Sequence, residues 1–273
     1  MGATITPAAD PAELREAMVA TLTGVGDLRT PAIVDALRTV ERHRFIPDAD
    51  LQAAYVDDAV PVKRDEVGRM VSCVSAPFIV ATQLEQLGAQ PGHTILEAGA
   101  ATGYNAALLA RLITPSGHVW TVDVDQDLVN GAKENLAAAG ASNVTVVLAD
   151  GAAGLPDHAP FDRIQFTVGA GDVPVKVLDQ LAPGGRLVIP MRIRGSISRS
   201  FAFERDGDTS KSPTPWLPMG CAGSDHGGAQ RGYPGTGRPG PGHVAGPGRA
   251  GVHLAEGSTA GAGSAVSSPA GAG

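Results

Sequence analysis

The sequence predicts an α/β fold, a doubly wound and largely parallel sheet that follows an N-terminal helical segment. Three observations carry this prediction. The stretch Thr94-Ile-Leu-Glu-Ala-Gly-Ala-Ala-Thr-Gly-Tyr104 reads as a strand end, an acidic residue and a glycine turn, and it opens the helical run Asn105–Ile113. His118-Val-Trp-Thr-Val122 is strand-like and ends on Asp123, twenty residues past Gly103. From Asn143 onward, short apolar runs alternate with helical patterns in the manner of a βαβ series.

The elements follow in order. Pro11–Leu22 places Leu14, Met18, Val19 and Leu22 on one helical face and stops at Gly24 and Gly26. Thr30-Pro31 starts a second helix with Ile33, Val34, Leu37 and Val40 as its stripe, and Glu41-Arg-His-Arg-Phe-Ile-Pro47 breaks it at the proline. His43 is expected to be structural. Ala54–Val62 reads as a bend and a short extended segment, followed by the polar loop Lys63–Arg69. Ser75 is predicted to cap the helix that Pro77 opens. Asp125 or Asp127 starts the helix that ends near Gly140. Asn143–Leu148, Phe161–Val168, Pro183–Pro190 and Ser196–Glu204 are further strands, and Val173–Leu181 is a helix.

Composition bounds the function. The 273 residues are 43% hydrophobic, enough for one sizeable core, and the formal charge of −7 without a basic block argues against nucleic acid as a partner. No secretory leader or membrane-length apolar run is evident, so the expected setting is the cytoplasm, with no membrane partner. Cys73 and Cys221 have neither metal-ligand spacing nor a disulfide pattern, and no metal is expected. Residues 1–92 are read as a helical, substrate-side segment, 93–206 as a nucleotide-binding core, and 207–273 as a low-complexity tail. That tail holds half of the 36 glycines and too few aliphatic side chains to offset the entropy of ordering it. It is expected to be disordered or a non-native, out-of-frame end, with a functional low-complexity tail as the alternative.

Glu97, Asp123 and Asp150 each end a predicted strand, and ligands of open α/β sheets bind outside those ends. The three acids are therefore expected around one crevice. The loop does not match the nicotinamide pattern G-x-G-x-x-G. It reads Glu97-x-Gly99-x-Ala101-x-Gly103, similar to the E/D-x-G-x-G-x-G loop of class I S-adenosylmethionine (AdoMet) methyltransferases, with alanine at the central glycine. A dehydrogenase and an inactive cofactor-binding fragment are the competing classes.

Over residues 10–205 the chain resembles the protein-L-isoaspartate O-methyltransferases. The resemblance rests on Arg42-His-Arg-Phe-Ile-Pro47, Val74-Ser-Ala-Pro77, Ile95–Tyr104, Val119-Trp-Thr-Val-Asp123, Asp150-Gly151, Ala159-Pro-Phe-Asp-Arg-Ile164 and Pro183-Gly-Gly-Arg-Leu-Val-Ile-Pro190. It implies a Rossmann-like class I methyltransferase fold with S-adenosyl-L-methionine as cofactor and a peptide or protein carboxylate as acceptor. It also implies Ser75 as the catalytic residue, and Val74, Glu97, Gly99, Ala101, Gly103, Asp123, Val124, Asp150 and Gly151 as the cofactor set. A monomer is expected. The family's G-x-G-Q-T-I lead-in to that serine is replaced by Gly68-Arg-Met-Val-Ser-Cys-Val. The chain also resembles a branch that accompanies actinobacterial FxLD-type lantipeptide systems, so the acceptor stays open between an isoaspartyl protein and a precursor peptide.

Overall fold

The computed structural model describes residues 9–26, 28–192 and 198–206, and the backbone alone of 209–219. All lie within one compact unit, Met1–His226.

Two helices open the fold. In α1 (Pro11–Gly24) the Asp10 carboxylate accepts from Ala12 N at 2.9 Å, and Met18, Val19 and Leu22 are buried. Helix α2 (Pro31–Thr39) buries Ile33, Ala36 and Leu37. Thr30 occupies its N-cap position without a side-chain cap bond, and a distant carboxylate holds the turn that leads into the helix. Glu85 Oε1 accepts from Arg29 N and Thr30 N, both at 2.7 Å. After a 3-10 turn at Arg42–Phe45 comes the short α3 (Leu51–Tyr55), where His43 Nδ1 and the Tyr55 hydroxyl lie 2.8 Å apart, as expected of a structural histidine.

The polar loop is the tip of an antiparallel hairpin, β1 (Val60–Arg64) and β2 (Met70–Val74). Helix α4 (Pro77–Leu87) follows. Ser75 is not its cap. Ala76 takes the N-cap position without a side-chain bond, and Asp57 Oδ1 accepts from Phe78 N at 2.8 Å. A carboxylate brought in by folding thus does the work that local sequence assigned to the serine.

The sheet contains β3 (Thr94–Ala98), β4 (His118–Asp123), β5 (Val144–Leu148), β6 (Phe161–Phe166), β7 (Leu181–Arg192), β8 (Ser198–Asp206) and β9 (Thr209–Met219), in the order β5-β4-β3-β6-β7-β8-β9. The pairs from β5 to β7 are parallel and the last two antiparallel. Helices α5 (Tyr104–Leu112), α6 (Gln126–Ala138) and α7 (Val175–Leu178) connect the parallel strands, with Asp125 capping α6. Strand β9 falls within the stretch read as tail, and residues 220–273 lie outside the described residues. Central strands are apolar on both faces, with Ile95, Leu96, Val119, Val122, Ile164 and Leu187 fully buried, as a sheet covered on two sides requires.

The chain runs outward from β3 through β4 to β5, then returns to β6 on the other side of β3. That reversal opens a crevice at the carboxyl ends of β3 and β6.

Candidate active site

A cleft of about 600 Å³ lies at this switch point. Its walls come from the glycine loop after β3, the ends of β4, β6 and β7, the start of α5, and strand β2 of the hairpin.

The glycine loop is held from two sides. Gly99 N and Ala100 N donate to Val122 O at 2.9 and 3.0 Å, and Thr167 Oγ1 donates to Gly99 O at 2.7 Å. Gly99 has φ +104°, and a Cβ there would sit 2.4 Å from Thr167 Oγ1. Ala101, where the motif has glycine, keeps a left-handed φ of +44°. Its N–H donates to Asp123 Oδ2 at 3.0 Å, and Asp125 N donates to Asp123 Oδ1 at 3.2 Å. Two backbone donors therefore fix the Asp123 carboxylate at the cleft wall, with acceptor capacity left for a ligand.

Of the predicted residues, the cleft brings together Val74, Ser75, Gly99, Ala101, Asp123 and Val124. Gly103 lies behind the wall, against Leu136, and caps the start of α5. Asp150 and Gly151 follow β5, outside the cleft lining, where a Cβ on Gly151 would meet Ala98 Cβ at 2.6 Å. Glu97 sits beneath the floor, fully buried.

Glu97 is the centre of a polar row that sequence reasoning missed. Strand register aligns Thr121, Glu97 and Gln165 across β4, β3 and β6. Thr121 Oγ1 donates to Glu97 Oε2 at 2.5 Å, and Asn105 Nδ2 donates to Glu97 Oε1 at 2.7 Å and to Gln165 Oε1 at 3.2 Å. Burial pushes the Glu97 carboxyl up from its usual 4.5 to about 7, against the pull of those bonds. Asn105 lines the cleft, and its buried Oδ1 has no hydrogen-bond partner among the described residues. The available signal was three polar residues at interior positions of apolar strands.

The opposite wall is fixed by Arg42, also fully buried. Its Nε donates to Ala54 O at 2.7 Å, its Nη2 donates to Ser75 O at 2.8 Å, and its guanidinium lies 5.0 Å from the centre of the Tyr104 ring. At the hairpin, Lys63 Nζ donates to Asp125 Oδ2 at 2.5 Å and to Asp127 Oδ2 at 3.1 Å, joining β1 to the start of α6.

The donor set fits an adenosyl amino acid. Asp123 is an acceptor-only carboxylate suited to a pair of hydroxyls, and the unpaired Asn105 Oδ1 suits an ammonium donor. Fold and site together define a class I AdoMet-dependent methyltransferase. The family model described as protein-L-isoaspartate(D-aspartate) O-methyltransferase (PCMT) matches residues 13–214, and the chain belongs to that family.

Similar proteins agree. The protein-L-isoaspartate O-methyltransferase of Methanopyrus kandleri is 42% identical over 178 residues, covering 65% of this chain and 76% of that one. The Methanosarcina mazei enzyme of the same name is 41% identical over 179 residues, covering 66% and 70%. A solved protein-L-isoaspartate O-methyltransferase superposes with a TM-score of 0.67 at 28% identity, over 77% of this chain and 66% of that chain.

Proposed function

We propose that this chain transfers a methyl group from AdoMet to a carboxylate of a protein or peptide, with an isoaspartyl residue as the acceptor. One observation carries the reading. A carboxylate fixed by two backbone donors, Asp123, and a serine loop fixed by a buried cation, Arg42, line one cleft at the switch point.

Bound there, AdoMet supplies a sulfonium methyl whose bonding pair returns to sulfur on transfer. Asp123 would hold the ribose hydroxyls, and Asn105, oriented by Glu97, the amino-acid end. Val74, Gly99, Ala101 and Val124 give the cofactor its walls. Asp150 and Gly151 belong to the adenine side of this assignment. Ser75 orients the acceptor carboxylate. An ordinary carboxylate, with a pKa of about 4, is already ionised at neutral pH, so the site needs no general base. With AdoMet bound, the residues of the cleft would have to align the acceptor oxygen with the methyl, and none would need to move a proton.

Catalysis then rests on alignment, for which about 7–11 kcal/mol is available in well-oriented systems. A rigid Ser75 backbone and a hairpin latched over the cleft supply it. Strand β2, the segment that differs most from the family's lead-in, lines the acceptor wall, which keeps a precursor peptide as the second candidate acceptor. We take the protein to be a cytoplasmic monomer whose substrate-side segment is 1–92 and whose cofactor core is 93–206, with 207–273 a low-complexity tail that begins with β9. Among the described residues no helix is long and apolar enough to cross a membrane.

The test is a binding titration. AdoMet should bind and NAD should not, and Asp123→Ala should weaken AdoMet ten- to hundredfold, as loss of a charged hydrogen bond of about 1.5–3 kcal/mol requires. Equal AdoMet affinity in a folded Asp123→Ala protein would contradict the cofactor assignment.

A further inference from the structure

Charge along the cleft is polarised. Among the described residues that line it, only two are charged, Asp123 at the end of β4 and Arg192 at the end of β7. Strands β3 and β6 lie between them, so their strands stand three spacings apart, about 14 Å. The acid marks the cofactor end. Arg192 marks the other end, paired in register with Ser198 of β8, in the cleft that Ser75 also lines.

The segment between them suits a peptide. Gly169 and Gly171, after β6, have no heavy atom within 4 Å of an added Cβ, so the backbone there is open to close approach. The loop is nevertheless anchored, because Ala170 N donates to Pro190 O at 2.9 Å and Ala170 bridges Met191, the residue before Arg192. Val71 of β2 and Val168 line the same cleft and remain half-exposed, as apolar rims for a chain laid between them.

We infer that Arg192 is a specificity residue that binds a second anionic group of the acceptor peptide, next to the carboxylate that is methylated. The inference rests on the carboxyl-methyltransferase reading. Arg192 is not assigned to the reacting carboxylate itself. A guanidinium there would draw electron density from the attacking oxygen and set a second cation beside the sulfonium. A neighbouring acidic side chain takes the same attraction without that cost to the nucleophile.

The experiment uses two isoaspartyl peptides, identical except for Glu or Lys beside the isoaspartyl residue, with methyl transfer and AdoMet affinity measured separately on the full chain. The wild-type protein is expected to favour the Glu peptide by about five- to tenfold in kcat/KM, less at high salt. Arg192→Gln should erase the preference, Arg192→Glu should invert it, and Arg192→Lys should keep most of it. AdoMet affinity should stay within about twofold in all three. A preference that survives Arg192→Gln, or a wild-type protein that treats both peptides alike, overturns the proposal and leaves the methyltransferase reading standing. Transfer to neither peptide, with AdoMet bound, overturns that reading and the proposal with it.

Discussion

Arg42 donates from Nη2 to the carbonyl oxygen of Ser75 at 2.8 Å, so a fully buried cation sets the backbone of the residue assigned to the acceptor. The same guanidinium reaches Ala54 O and the Tyr104 ring, and thereby joins the helical segment, the acceptor loop and the start of the cofactor helix. Replacing it with leucine leaves buried carbonyls unpaired, at about 1–3 kcal/mol each. Arg42→Leu should therefore lose several kcal/mol in urea unfolding. Ser75→Ala, which removes no helix cap, should lose less than about 0.5 kcal/mol yet lower the methylation rate. A Ser75→Ala protein with full kcat would remove the serine from the site.

The buried carboxyl of Glu97 makes stability depend on pH in an unusual direction. Its folded pKa, about 7, lies above the usual 4.5, so between these values the folded state binds the proton that the unfolded chain has lost. Its contribution is complete below pH 4.5 and is lost as pH rises through 7, by on the order of 3 kcal/mol. Stability of the wild type relative to Glu97→Gln should fall by that order between pH 4.5 and pH 8. Parallel pH profiles of the two proteins would show that folding does not raise the Glu97 pKa.

Ala101 holds a conformation that glycine adopts more readily. With φ at +44°, Ala101→Gly should raise stability by about 0.5–1 kcal/mol, the relief of left-handed strain less the added freedom of the unfolded chain. Gly99→Ala should do the reverse, since its Cβ would lie 2.4 Å from Thr167 Oγ1 and 2.7 Å from Val168 Cγ1. Denaturant midpoints of the two variants moving the same way would refute the account of this loop.

The hairpin is latched by Lys63 onto Asp125 and Asp127, and β2 lines the cleft. Lys63→Met should speed release of S-adenosyl-L-homocysteine by up to about fivefold, and the difference should shrink with added salt. Stopped-flow release rates that match the wild type at low salt would show that the ion pair does not restrain the hairpin.

Much of this architecture was legible in the sequence. The parallel strands, the glycine loop, the acid ending β4 and the Asp125 cap are local patterns, each read within a few residues. The misread features depend on distant partners. Ser75 before Pro77 looks like a cap, but Asp57, 21 residues from Phe78, takes the N–H instead. Glu97 and Asp123 look alike as strand-end acids. Only strand register shows that one is buried under Asn105 while the other faces the cleft. Arg42 and Lys63 act across 33 and 62 residues of chain, and no periodicity announces such pairs.

The most direct test of the central claim is transfer of radiolabelled methyl from AdoMet to an isoaspartyl peptide and to its ordinary aspartyl isomer. The expected result is label in the isoaspartyl peptide alone, released by mild base as a carboxyl methyl ester should be, and reduced about ten- to hundredfold by Asp123→Ala at subsaturating AdoMet. Label in a base-stable product, or no transfer by protein that binds AdoMet, would contradict it.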